Sequence, residues 1–304
     1  EAHAEVNCIN AVNPDDFGLI HESTLYVSLE PCSHHGKTPP CVDLIISKKI
    51  PEVVIGCRDP FKEVSGRGIA KLKAADINVI ENILENECRE LNKRFITFQE
   101  KHRPYIILKW AQTADKKIAP ANRSQLSISN EASRKIVHKW RSEEASILVG
   151  TNTAESDDPE LSNRHWQGTN PLRLVVDMDL SLPSSLKIFD QKIPTIVFNT
   201  KQHTFEKSEF KGVNYYQVTN DVSLPVQIAN ALYQLNIQSV LVEGGARLLQ
   251  SFIDEGEWDE VRTITNPSMN LPDGIAVPKF EGVKVCETDI SGNLIEIYKP
   301  MNKA

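Results

Sequence analysis

The feature that most restricts the fold is an alternation of short, apolar, β-branched runs with segments of helical pattern. It is kept up along nearly the whole chain. "STLYVSLEP", "PEVVIGCRDP" and "INVIEN" have the length and residue types of strands, and "CVDLIISKKI" and "GIAKLKAAD" between them read as short helices. A stretch rich in helix formers, "NECRELNKRFITFQEKH", runs into Arg103-Pro104. Proline disfavours helix at the residue before it, so a boundary falls near residues 99–104. The alternation then restarts: strand "YIILKWAQTADKKI", helix "NEASRKIVHKWR", strands "ASILVG", "LRLVVDMD" and "TIVFNT", helix "PVQIANALYQL", strand "SVLVEGG", helix "ARLLQSFIDEG". The end, "VKVCETDI-SGN-LIEIYK", reads as a hairpin. Strands separated by helices pair in parallel, so both halves are expected to be α/β with largely parallel sheets. A chain of 304 residues is long enough for two such domains, placed at residues 1–101 and 102–304.

Composition narrows the function. A hydrophobic fraction of 40% and a charged fraction of 25% are those of an ordinary soluble protein. No apolar run approaches a membrane span, and no cleavable targeting segment is visible. The net charge of −7 argues against a nucleic-acid surface and requires any anionic ligand to be held by local cations. The six cysteines are scattered rather than packed into a framework, which points to a reducing cytoplasm with any special pair acting as metal ligands.

The first half carries such a set. His3-Ala4-Glu5 stands at the start of a helical run, Cys32 follows the strand "TLYVSLEP", and Cys41 opens the helix "CVDLIISKK". Taken alone, His3 would read as a surface imidazole and either cysteine as core. Together, one imidazole and two thiolates suit zinc and leave a fourth position for water, whose pKa zinc lowers. A helix N-terminus at Cys41 favours the thiolate. Glu5, close to the ligands but not one of them, fits a proton shuttle. This is the H-x-E…P-C…C arrangement of zinc nucleobase deaminases. It departs from the usual C-x-x-C pair, because "SHHGKTPP" separates Cys32 from Cys41.

The second half has no metal-ligand cluster and no G-x-G-x-x-G. It has "VEGGARLLQSF", a strand end, two glycines and a helix start, where free N–H groups favour a phosphate. It also has "ILVGTNTAESDDPELSNR", read as a strand followed by a loop dense in hydroxyls and carboxylates. In an acidic chain, Arg141 and Arg164 are reasonable phosphate clamps, since a guanidinium can bind phosphate through paired hydrogen bonds.

The long cysteine loop, "PCSHHGKTPPC", and the segment "GCRDPFKEVSGRG" resemble the deaminase domain of the bifunctional riboflavin-biosynthesis deaminase/reductase family. From about Pro104 onward, "LKWAQTADKKIA", "ISNEASRKIVHKWR", "LVGTNTAESDDPELSNR", "RLVVDMD" and "VLVEGGARLL" are similar, in order, to that family's reductase domain. The resemblance implies a cytidine-deaminase-like three-layer α/β domain followed by a dihydrofolate-reductase-like α/β domain. It implies zinc on His3, Cys32 and Cys41, with Glu5 as shuttle and His34, Lys37 and Asp59 holding the phosphoribosylated pyrimidine. It implies NADPH contacts at Ala111, Thr153, Asp157 and the stretch Gly245, Ala246, Arg247, Leu248, Leu249, Gln250 and Ser251. Substrate contacts are implied at Ser124, Arg141, Leu161, Arg164 and Glu243, with Lys109 near the sugar, and a homodimer through the reductase domain. "PANRSQLSIS" departs from the family, which usually has Trp near Ser127. Family members carry a helix and a strand hairpin ahead of the H-A-E segment, so a preceding segment is expected.

The implied activity is zinc-dependent deamination of 2,5-diamino-6-(5-phosphoribosylamino)pyrimidin-4(3H)-one. NADPH-dependent reduction of the ribosyl chain of 5-amino-6-(5-phosphoribosylamino)uracil would follow. Two alternatives stand beside it: a reductase alone with a degenerate deaminase scaffold, and a deaminase for another base fused to a dinucleotide-binding module.

Overall fold

In the computed structural model, which describes residues 3–34, 39–61, 65–122, 124–204 and 211–301, the apolar runs of the first third pair side by side. They form three parallel strands in the order β1 (Thr24–Leu29), β2 (Glu52–Cys57), β3 (Asn78–Ile80). Helices α1 (Ala4–Asn10), α2 (Cys41–Ser47), α3 (Arg67–Ala74), α4 (Glu85–Leu91) and α5 (Lys93–Lys101) accompany them. Parallel strands are buried on both faces, and the helices divide accordingly. Val53 and Ile55 of β2 pack with Ile9, Val42, Ile45, Ile69 and Leu72, which belong to α1, α2 and α3. On the other face, Cys88 of α4 lies against Gly56. The run "NECRELNKRFITFQEKH" forms two helices rather than one, broken at Asn92.

The chain divides into two compact units, Glu1–His102 and Arg103–Ala304. The second unit is built on β4 (Tyr105–Thr113), β5 (Lys117–Pro120), α6 (Glu131–Glu143), β6 (Ser146–Gly150), α7 (Thr151–Asp157), β7 (Leu172–Val176), β8 (Thr195–Asn199), β9 (Val213–Gln217), α8 (Leu224–Gln234), β10 (Ser239–Val242), α9 (Ala246–Asp254), β11 (Glu260–Asn266), β12 (Gly274–Ala276), β13 (Gly282–Ile290) and β14 (Asn293–Pro300). Nine of these strands form one sheet, ordered β13-β14-β11-β4-β10-β6-β7-β8-β9. It is parallel from β11 to β9, and the hairpin of β13 and β14 adds antiparallel to β11.

Period-two alternation sorts the core. Ile106, Leu108 and Trp110 face the side covered by α8 and α9, with Ile228, Leu232, Leu249 and Phe252. Tyr105 and Ile107 face the opposite side, with Val137 and Trp140 of α6. Burying each such side chain contributes about 1.5–3 kcal/mol before chain entropy is counted. Residues 151–157, read from sequence as loop, form α7: Gly150 leads into it, and the Thr151 hydroxyl donates to the Val176 carbonyl at 2.6 Å. The end of β6 and the end of β10 therefore open on the same side of the sheet, where parallel sheets bind ligands. Among the described residues, no helix is long and apolar enough to cross a membrane.

Candidate active sites

In the first unit, His3 occupies the N-cap position of α1 and Glu5 lies in that helix's first turn. Cys32 follows β1, and Cys41 is the first residue of α2. Folding brings the ligand atoms of His3, Cys32 and Cys41 within 4.8 Å of one another. His3 Nδ1 lies 3.5 Å from Cys32 Sγ and 3.4 Å from Cys41 Sγ. The Cys41 backbone N–H donates to Cys32 Sγ at 3.2 Å, tying the two halves of the long loop together.

The Cys41 thiol is buried, and burial, the neighbouring Glu5 carboxylate and Cys32 together raise its pKa well above the usual thiol range. The start of α2 does not by itself offset this, contrary to the sequence expectation that a helix N-terminus would favour the thiolate. The Cys32 sulfur and the Glu5 carboxylate, crowded against Cys41, oppose ionisation of its thiol. A cation relieves that conflict, and a nitrogen and sulfur donor set is the one zinc takes. The residues present fit the metal.

Asp59, in the loop after β2, is buried, and its carboxylate accepts the Phe61 N–H at 2.8 Å. Burial raises the Asp59 pKa, the Phe61 hydrogen bond opposes that, the Glu30 carboxylate adds to it and His34 opposes it. His34 and Asp59 are thus within electrostatic reach of each other. Lys37 lies outside the described residues.

The second unit holds a cleft of about 1130 Å3. Of the residues expected from sequence, Lys109, Ala111, Ser124, Arg141, Thr153, Asp157, Leu161, Arg164, Glu243, Gly245, Ala246 and Arg247 all line it. A smaller neighbouring cleft of about 300 Å3 takes in Leu248 and Ser251 and shares Thr153, Gly245 and Arg247 with the first. Leu249 and Gln250 line neither. The Leu249 side chain is wholly buried against the core, and Gln250 bonds with Asp254 and the Lys279 backbone, on the outer turn of α9. Gly245, the N-cap of α9, has φ +71°, a conformation that side chains other than glycine's rarely adopt, and this explains the Gly-Gly signal.

Three of the lining residues form an ion triad. Arg141 Nε and Nη2 each donate to Glu243 at 2.8 Å, and Arg141 Nη1 donates to the Ser162 carbonyl at 3.2 Å. Lys109 Nζ stands 3.5 Å from Glu243 Oε2. Burial works against a charged Glu243, but the Arg141 guanidinium and the Lys109 ammonium hold its pKa down at about 2. Burial in turn lowers the Lys109 pKa, with Glu243 opposing. Arg141 thus has all three of its nitrogens engaged with Glu243 and Ser162. Arg164 is half exposed, with Glu160 at 2.9 Å as its ion partner.

Leu161 lines the cleft although it is almost wholly buried. Its side chain is buried among Ile147, Val149 and Val175, and its φ of +50° is a strain of the sort concentrated at functional sites. Arg134 and Lys187 also line the cleft, and sequence reasoning missed both. The seven-residue spacing of Arg134 and Arg141, which places them on one face of α6, was the available signal for the first. Nothing local marks Lys187.

Comparison with known proteins completes the picture. Residues 1–57 match the cytidine and deoxycytidylate deaminase zinc-binding region, and residues 104–269 match the RibD C-terminal domain. The riboflavin biosynthesis protein RibD of Aquifex aeolicus is 39% identical over 278 residues, covering 90% of this chain and 76% of its own. The chain belongs to the RibD family. RibD of Bacillus amyloliquefaciens is 36% identical over 267 residues, covering 86% of this chain and 71% of its own. The crystal structure of the Thermotoga maritima diaminohydroxyphosphoribosylaminopyrimidine deaminase/5-amino-6-(5-phosphoribosylamino)uracil reductase superposes with a TM-score of 0.86 at 34% identity. It covers 99% of this chain and 86% of its own. As a RibD family member the chain is a bifunctional enzyme, a zinc deaminase in its first unit and an NADPH-dependent reductase in its second. The reading as a reductase alone gives way, because both family models match.

Proposed function

We propose that the first unit deaminates 2,5-diamino-6-(5-phosphoribosylamino)pyrimidin-4(3H)-one. The second unit then reduces the ribosyl chain of the resulting 5-amino-6-(5-phosphoribosylamino)uracil to ribityl. The observation that carries this reading is the convergence of His3, Cys32 and Cys41 within 4.8 Å, with Glu5 against Cys41, in a chain that also holds the triad-lined cleft. Zinc on those three ligands supplies the Lewis acidity that makes water a nucleophile near neutral pH. Glu5 takes the proton of the attacking water and hands it to the ring amino group, which leaves as ammonia while the ring carbon gains oxygen. His34, Lys37 and Asp59 hold the ribosyl phosphate end.

In the second unit NADPH would supply the hydride, and Ala111, Thr153, Asp157, Gly245, Ala246, Arg247, Leu248 and Ser251 would hold the cofactor. Lys109, its pKa lowered by burial, donates the proton taken up by the opened sugar. Arg141 keeps Glu243 ionised so that it orients the sugar hydroxyls, while Ser124, Leu161 and Arg164 hold the rest of the substrate, Arg164 at the phosphate. The same reading places the enzyme in the reducing cytoplasm, in keeping with six cysteines of which none is in a disulfide among the described residues, and pairs two copies through the reductase unit. Glu5→Gln is expected to abolish deamination while zinc content and reduction stay at the parent level. Loss of both activities would contradict two separate sites.

A further inference from the structure

Glu30 takes no part in the chemistry described above, yet its carboxylate is among the most heavily engaged groups of the first unit. It is 3% exposed and sits at the end of β1, two residues before the ligand Cys32. Four backbone N–H groups donate to it. Its Oε2 accepts from Asp59 at 3.3 Å and Gly66 at 2.9 Å, and its Oε1 from Gly68 at 2.9 Å and Ile69 at 3.3 Å. These donors come from two places: the loop that carries Asp59, and the first turn of α3. The fit is close, because a Cβ at Gly68 would lie 2.3 Å from the Pro31 carbonyl and 3.1 Å from Glu30 Oε1. The segment leading to Cys32 and the loop holding Asp59 are thus seated on one carboxylate.

From this geometry we infer that Glu30 is a positioning residue for the deaminase, setting the place of Asp59 against the metal ligands and so governing how the phosphoribosyl part of the substrate is held. The inference rests on the proposed deaminase reading and names the residue that reading leaves out. A carboxylate suits the task because it offers acceptors to all four N–H groups at once. An amide at the same place offers one oxygen and turns an NH2 toward donors, so the loop should loosen without any change in packing volume.

The test measures deamination kinetics on the full chain with zinc bound. In Glu30→Gln, KM for the phosphoribosylated diaminopyrimidine should rise about tenfold with kcat nearly unchanged, the size seen when groups behind a ligand shell are altered. Zinc content and reductase kinetics should match the parent. Combined with Asp59→Asn, the effect on KM should be far from additive, because both changes act on one contact. Glu30→Asp keeps the charge but shortens the reach, and serves as the second variant should Gln impair folding; its KM should rise as well. An unchanged KM, a loss confined to kcat, additivity with Asp59→Asn, or loss of zinc in both Glu30 variants would each overturn the inference. A parent enzyme that binds zinc but does not deaminate this substrate would instead overturn the underlying reading, and this inference with it.

Discussion

At the scale of single residues, the second unit stores one group in an unfavourable place. His138 of α6 is buried, its ring is edge-on to His165 at 4.7 Å, and its Nδ1 has no hydrogen-bond partner among the described residues. Burial, with Arg141 close by, lowers its pKa from 6.5 to about 4. Folded, His138 is therefore neutral down to about pH 4, whereas in the unfolded chain it takes up a proton near pH 6.5. The unfolded state binds more protons between those limits, so stability present above that window falls as pH drops through it, by on the order of 3 kcal/mol. His138→Leu should flatten this dependence, read as the urea midpoint against pH. Equal slopes in the two proteins would sink the assignment. None of this was legible in sequence, where His138 is one polar residue in an amphipathic helix. His3, Cys32 and Cys41 were legible because ligand chemistry restricts residue type and each stands at the edge of a readable element.

At the scale of elements, the readable pieces were those whose pattern is local. The strand, Gly-Gly and helix of "VEGGARLL" could be read directly, and the glycine requirement follows from φ +71° at Gly245. Gly245→Ala should cost about 1–3 kcal/mol of stability in the second unit, the usual size for a disallowed backbone region. It should also weaken NADPH binding, followed by nicotinamide fluorescence; a variant equal to the parent in both measurements would remove the argument. The elements that escaped are those stabilised from outside themselves. The sequence of β11, "EVRTITN", mixes charges into a strand that is buried almost throughout, and it is tolerated because Arg262 pairs with Glu260 and stacks on the Trp140 ring at 4.8 Å. Helix α7 is poor in helix formers and depends on its seat between β6 and β7. Arg141 shows the same limit: its residue type suggested an anion, but its pairing with Glu243, 102 residues away, could not be read locally.

At the scale of the whole molecule, the division into two catalytic halves was legible because proline and strand–helix alternation mark it in the chain itself. Assembly was not legible, since it depends on surfaces. Strand β13 ends the nine-stranded sheet and is exposed along nearly its whole length, with Val283 and Val285 open to solvent. An outer strand with unpaired backbone groups invites another copy or needs covering. The proposed homodimer through the reductase unit should show twice the chain mass by light scattering, and a charged residue in place of Val285 should shift it toward the monomer. A single-chain mass at all concentrations would dismiss the pairing. Leu161 has a consequence of a different order. One residue both lines the cleft and belongs to the buried core, so no mutation there can retune substrate preference without first being judged by the fold. Adaptation of this enzyme to a new sugar must therefore enter through its neighbours.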